Sequence, residues 1–213
     1  MSTNPAQVIF PPSARSAQER LGSRELQQRR ERSGGFQQRV NERLIAFLAR
    51  VDSLFIATAT GDGQPYIQHR GGPKGFLKAL GPSTLGFADF AGNRQYITVG
   101  RLSENSAVCL FLIDYARPAR IKVWGHASVV DHDAALLARV ADPSYPARVE
   151  RAILIEVDAW DINCHQHIPR KLAIEDVATA IESLESRIRA LEAENAALRL
   201  RTTHSQLRTS DHD

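Results

Sequence analysis

Leu54-Phe-Ile-Ala-Thr-Ala-Thr60, then Gly61-Asp-Gly63, then Pro65-Tyr-Ile-Gln-His-Arg70 is a β-rich run, a turn signal and a second β-rich run. Branched and aromatic side chains favour extended backbone, and glycines on either side of an aspartate let it reverse. Short β-rich runs recur downstream of this hairpin. Gly75–Leu80, Thr84–Phe90, Ala107–Asp114, Ile121–Val130 and Arg151–Val157 read as further strands. Helical spacing is confined to three stretches within this region. Phe36, Val40, Leu44, Phe47, Leu48 and Val51 mark one helix over residues 36–51, and two more are expected at about 93–104 and 133–142. Six or seven short strands with few helices predict an antiparallel barrel or sandwich rather than alternating βαβ units. No GxGxxG follows a strand, and GxxxxGK[ST] is absent.

The composition agrees with a folded domain. Hydrophobic residues make up 43% of the 213 and charged residues 24%, which excludes wholesale disorder and a collagen-like fibre. No apolar run approaches the ~20 residues that span a bilayer, and the first thirty residues hold no apolar signal core. Two cysteines, Cys109 and Cys164, make no disulfide framework, so a reducing, cytoplasmic compartment is expected. The net charge of +3 sits in residues 1–35, where Arg15, Arg20, Arg24, Arg29, Arg30 and Arg32 face Glu19, Glu25 and Glu31. The remainder is neutral, which argues against a nucleic-acid binder with its basic face.

Four regions are expected along the chain. Residues 1–35 form a basic N-terminal arm, extended over the proline-rich 1–12 and helical over 13–32, where Ser16 and Glu19 fit a capping box. Residues 36–173 hold the β-rich domain. From Ile174 the pattern changes: Ile174, Val177, Ile181, Leu184, Ile188, Leu191, Asn195 and Leu198 alternate three- and four-residue steps. That is the a/d seam of a coiled coil over residues 174–201. Isoleucine at a with leucine at d favours two strands, and Asn195 at an a position is a device for dimer register. Arg187 and Glu192, and Glu194 and Arg199, are opposite in sign across a parallel pair. Residues 202–213 are expected to be a disordered tail.

The chemistry-bearing residues fall in a few clusters. Cys164-His165-Gln166-His167 offers metal-ligand types, but no second cluster exists to close a tetrahedron, so no metal is expected. Cys109 lies in an apolar strand and reads as core. Gln68-His69-Arg70-Gly71-Gly72-Pro73-Lys74-Gly75 sets cations among glycines after a strand, where backbone can approach an anion closely. In Gly86-Phe-Ala-Asp-Phe-Ala-Gly-Asn-Arg-Gln-Tyr96 a strand ends, Gly92 turns the chain and Asn93-Arg94-Gln95 are expected to open a helix. Free N–H groups at a helix start, with Arg94 beside them, suit a phosphate.

Together these segments resemble the FMN-binding split-barrel family typified by pyridoxamine 5′-phosphate oxidase. Gly63-Gln-Pro-Tyr66 with the basic strand after it is similar to the family's second strand. Phe87 to Gln95 is similar to its strand-to-helix element, and Ser103-Glu-Asn105 to a later Glu-Asn signal. Arg120-Ile-Lys-Val-Trp-Gly125 resembles the strand that reaches the flavin ring, and Trp160 and Arg170 have the spacing of a late tryptophan and arginine contributed by the other subunit. The resemblance covers about residues 40–172. It implies a mainly β fold with flanking helices, a six- to seven-stranded antiparallel split β-barrel, to which the coiled-coil helix is added. It implies a homodimer holding FMN through His69, Arg70, Lys74, Asp89, Asn93, Arg94, Gln95, Arg120, Trp160 and Arg170. Arg94 would be the phosphate arginine, with Arg70 or Lys74 as the second cation.

Departures from the family pattern narrow the expectation. Gly71-Gly72-Pro73 separates Arg70 from Lys74, so the two align only with a shift. Gln166 and Ile168 stand where the true oxidase has an arginine and a histidine for the substrate phosphate, and a lost guanidinium removes much of that grip. Vitamin B6 oxidation is therefore not expected. The expected function is an FMN-dependent oxidoreductase acting on a small organic substrate, with NAD(P)H as a potential electron donor. The alternative is a non-catalytic flavin, haem or deazaflavin binder or sensor. No catalytic residue is assigned, although His69 and His167 are candidates for acid–base work.

Overall fold

The computed structural model describes residues 4–163 and 165–210. Residues 1–3 of the expected extended arm, Cys164, and residues 211–213 at the end of the expected tail lie outside them. The chain divides after Pro169 into two units.

The first unit begins with three helices, α1 (Pro5–Ile9), α2 (Pro12–Arg20) and α3 (Arg24–Arg32). The expected extended arm is helical over 5–9, where Asn4 Oδ1 accepts from Ala6 N at 3.0 Å and caps α1. The helix expected over 13–32 is broken at Gly22, whose φ of 74° ends α2. The arm is tied to the barrel by an ion pair between Arg30 and Asp161. Phe10 packs edge-on to Phe36 with ring centroids 5.2 Å apart.

Helix α4 (Glu42–Leu48) is shorter than the helix expected over 36–51. Asn41 caps it, its Oδ1 accepting from Leu44 N at 3.1 Å. The residues before it are held by backbone groups distant in the chain. Gln37 N donates to Trp160 O at 3.2 Å, Trp160 N to Gln37 O at 2.7 Å, and Val40 N to Pro82 O at 2.8 Å. Backbone groups paired in this way cannot also close helical turns.

The strands are β1 (Ser53–Ala59), β2 (Pro65–Gly71), β3 (Lys78–Ala79) and β4 (Thr84–Phe90). Helix α5 (Ile97–Glu104) follows, then β5 (Ala107–Asp114), β6 (Ala119–Val130), helix α6 (Ala134–Val140) and β7 (Val149–Asn163). The strand expected over 75–80 shrinks to the two residues of β3. All seven form one antiparallel sheet in the order β2-β1-β5-β6-β7-β4-β3. Strands β2 and β4 stand far apart in that order, yet Arg70 and Asp89 meet at 3.1 Å, so the sheet curls until its two ends touch. This is the antiparallel split barrel with flanking helices.

The alternation of strand side chains puts Leu54, Ile56, Leu110, Leu112, Ile121, Val123, Ile153 and Ile155 inside. Leu44, Phe47 and Leu48 of α4 pack onto that core. A second cluster, Ala88 and Ala152 with Leu136 and Val140, lies under α6. Between β6 and β7 the register shifts at Trp124/Gly125. A Cβ on Gly125 would run into the Glu156 carbonyl oxygen, so this bulge requires glycine.

The second unit carries α7 (Ile174–Ser210). The helix continues past residue 202, where the sequence suggested a tail. Among the described residues no helix is long and apolar enough to cross a membrane.

Candidate functional site

The closure of the barrel creates the site. Gln68 and Arg70 project from β2, Asp89 lies near the end of β4, and Glu150 and Arg151 lie near the start of β7. The loop 92–96 closes the rim, and the space between them is a cavity of about 40 Å3. That is room for about three waters, the scale of a phosphate group rather than of a ring system.

Asp89 is the pivot. It is 5% exposed and lies directly across the ladder from Arg151. Its Oδ1 faces Arg70 Nη1 at 3.1 Å and its Oδ2 faces Arg151 Nη1 at 3.3 Å. A buried carboxylate survives when it is paired in this way. Arg151 is held on every side, by Asp131 at 3.0 Å, by Glu150 at 3.4 Å and by the ring of Tyr96 5.0 Å from its guanidinium carbon. Burial works against its charge, but hydrogen bonds to Asp131 and Tyr96 and the charge of Asp89 outweigh it, so its pKa rises above the ordinary value. Arg70 is less completely satisfied, because its Nε is buried with no acceptor among the described residues. An orphaned guanidinium N–H beside a cavity is a donor waiting for an anion.

The loop supplies the third cation. Arg94 and Tyr96 take φ of 57° and 52°, a left-handed conformation that side chains with a Cβ adopt at a cost of about 1 kcal/mol or more each. Asn93 steadies the turn, its Oδ1 accepting from Gln95 N at 3.2 Å and its Nδ2 donating to Gln95 Oε1 at 3.3 Å. Asn93 was expected to begin the helix. Instead α5 starts at Ile97, and the left-handed Tyr96 caps it without a side-chain bond. Gly100 N donates to Tyr96 O at 2.9 Å, and the amides of residues 97–99 find no acceptor among the described residues. Ile97 and Val99 line the cavity. Arg94 is exposed and has no hydrogen-bond or ion-pair partner among the described residues. Free amides at a helix start, one unsatisfied arginine and one unpartnered arginine give this corner the capacity to hold a dianion.

Residues 40–168 match the family model described as pyridoxamine 5′-phosphate oxidase. The chain belongs to this family. Among solved structures, HupZ of Group A Streptococcus is 14% identical with a TM-score of 0.47, the match covering 62% of this chain and 100% of that one. An FMN-binding protein of Syntrophomonas wolfei is 15% identical with a TM-score of 0.43, covering 58% and 88%. The FAD-binding protein of Mycobacterium smegmatis is 16% identical with a TM-score of 0.40, covering 59% and 98%. No curated protein matches the chain.

Of the ten residues that the family resemblance singled out, the cavity brings together Arg70, Asp89, Asn93, Arg94 and Gln95. Lys74 stands exposed in the turn beyond β2, so of the two cations weighed it is Arg70 that lines the cavity. His69 is turned away from Arg70 by strand alternation and meets Phe55 on the outer face, ring centroids 5.5 Å apart. Arg120 is half-buried at the start of β6, across the ladder from Asn163 and outside the cavity. Trp160, expected to cover a ring in the opposite subunit, is a core residue of its own barrel. It is 2% exposed and its indole Nε1 donates to Arg39 O at 2.9 Å. Arg170 is exposed at the start of the second unit. His165 and His167 follow β7 in a turn. Gln68, Tyr96, Glu150 and Arg151 escaped the sequence reading. Arg151 could not have been found locally, because its link to Asp89 depends on β4 pairing with β7 across a long stretch of chain.

Proposed function

We propose that this protein is an FMN-binding oxidoreductase of the pyridoxamine 5′-phosphate oxidase family, working as a homodimer on a small organic substrate. The observation that carries the reading is the cavity at the start of α5. Arg94 is unpartnered, Arg70 Nε lacks an acceptor, and the first amides of the helix are open among the described residues. These groups fit the phosphate of FMN in charge, size and donor count. Arg94 and Arg70 would take the phosphate oxygens, while Asp89 and Arg151 hold Arg70 in place. When bound, the flavin supplies two-electron chemistry at its ring, with NAD(P)H as the donor in this reading.

A cavity of about 40 Å3 admits the phosphate and leaves the ring outside, which supports a ring site completed by a second protomer. The outer face of β2, β1 and β5 supports the same pairing. Ile67 is 62% exposed and Phe55 38% exposed, and Ala57, Cys109 and Phe111 lie beside them in register. An apolar face of this kind is suited to another copy of the barrel. The reading places the protein in the cytoplasm and includes a coiled coil formed by α7. It does not extend to vitamin B6 phosphates, because Gln166 and Ile168 lack the charges that would hold a second phosphate.

A non-catalytic flavin carrier or sensor is the second reading, favoured by the lining itself. The cavity is lined by Arg70, Arg94 and the start of α5, groups that bind an anion, and anion binding is all that a carrier requires of it. Titration with FMN and riboflavin in parallel tests the shared claim. FMN is expected to bind at least ~10-fold more tightly, the worth of the phosphate contacts. Equal affinities would refute the phosphate corner. Bleaching of the bound flavin by NADPH with reoxidation in air supports the enzyme, and its absence supports the carrier.

A further inference from the structure

Helix α7 carries a seam whose sequence pattern calls for a specific occupant. Along it Ile174, Val177, Ile181, Leu184, Ile188 and Leu191 are between 39% and 82% exposed. Over residues 174–198 the seam runs for about 37 Å at 1.5 Å per residue. We propose that α7 pairs with α7 of a second copy of this chain as a parallel, in-register, two-stranded coiled coil. This deepens the homodimer reading above and rests on it only for the number of copies.

Three features decide the orientation. First, a parallel pair places each a position against the same position of its copy. Asn195 then meets the partner's Asn195, and the two amides satisfy each other. In an antiparallel pair with full overlap Asn195 would face Val177, with its amide buried and unpaired. Second, parallel pairing sets each g position against the e position five residues on in its partner. That couples Arg187 with the partner's Glu192 and Ala180 with the partner's Glu185, without like charges. Full antiparallel overlap would bring Arg187 to the partner's Arg187 and Glu185 to the partner's Glu185. Third, β-branched Ile174, Ile181 and Ile188 at a, with Leu184 and Leu191 at d, select two strands over three or four. The intrachain ion pair Arg189–Glu185, 3.8 Å apart at i,i+4, lies along the helix flank and leaves the seam clear.

The test uses the full chain with Cys109 and Cys164 replaced by serine and a single cysteine placed in the seam. Val177→Cys and Leu191→Cys each stand at a d position, opposite their own copy only in the parallel, in-register arrangement. Under mild oxidation both are expected to run mostly as covalent dimers on a non-reducing gel and to collapse to monomer on reduction. Failure of both variants to link would overturn the proposal. So would preferential linking in a mixture of Val177→Cys and Asn195→Cys, which are opposed only in the antiparallel pair. A second measurement reads the role of the asparagine. Asn195→Leu is expected to populate species larger than two copies in light scattering, while wild type stays at two, and an unchanged mass would overturn the role of Asn195. Flavin content is measured on the same samples. Links without flavin leave the pairing standing and remove the FMN reading, and flavin without links does the reverse.

Discussion

Replacing Asp89 by asparagine removes one charge from the centre of the site. The carboxylate is 5% exposed and touches Arg70 at 3.1 Å and Arg151 at 3.3 Å. Asparagine is nearly the same shape, so packing is kept. Its NH2 group must nevertheless point at one of two guanidinium groups that can only donate. Breaking a fully buried ion pair costs about 3–5 kcal/mol. The two arginine side chains keep 21% and 14% of their exposure, so solvent relieves part of the loss and the lower end, about 3 kcal/mol, is expected. For a domain of this size that lowers the melting temperature by roughly 6–12 °C. The variant also leaves an uncompensated positive corner, which an anion can fill. Inorganic phosphate at ~10 times its dissociation constant should restore about 1.4 kcal/mol, and should raise the melting temperature of the variant more than that of wild type. Sodium chloride at matched ionic strength should not do so, since it screens the site without occupying it. The assay is thermal unfolding of both proteins across a phosphate series. A variant melting within ~2 °C of wild type, or one that responds alike to phosphate and chloride, would refute the reasoning.

Other perturbations read other links of the argument. Arg94→Ala should cost about 1.5–3 kcal/mol of FMN binding, seen as weaker binding in titration, whereas Lys74→Ala should leave the dissociation constant unchanged because that side chain stands outside the cavity. Gly125→Ala should destabilise the barrel by about 1–3 kcal/mol or more, measured by urea unfolding, because the new methyl group meets the Glu156 carbonyl. Burial pushes the Asp161 carboxyl above the usual carboxylate range, with Arg30 pulling the other way. A folded-state pKa above the unfolded value means that the native state gains stability as pH falls from the raised value towards ~4. Wild type should therefore gain on Asp161→Asn in urea midpoint as pH drops through that window, and a difference that stays constant or reverses would count against the assignment.

The strands were legible because a half-buried strand writes its burial into a period of two. Thr84–Phe90 and Ala107–Asp114 fall where the alternating and apolar runs predict. The heptads of α7 were legible for the same local reason, as a repeat of side chains along one helix. The family was legible because the 54–70 hairpin and the 87–95 turn each keep their residues within one short segment. Errors came where backbone groups had a distant partner to choose. Residues 36–40 carry helical spacing, yet they pair with Trp160 and Pro82. The spacing of Asn93 to Glu104 hid two left-handed residues that postpone the helix to Ile97.

Chain order alone therefore determined that residues 53–163 are mainly β, that Arg94 stands in a polar turn after a strand, and that heptads mark a helix from Ile174. Each of those depends on residues within a few turns or strands of one another. Only the tertiary structure decided that Arg70 rather than Lys74 lines the cavity, that Asp89 is the carboxylate between two arginines, and that Trp160 belongs to the core. Those outcomes depend on the sheet curling until β2 meets β4 and on β4 pairing with β7, contacts between segments far apart in the chain that no local periodicity encodes.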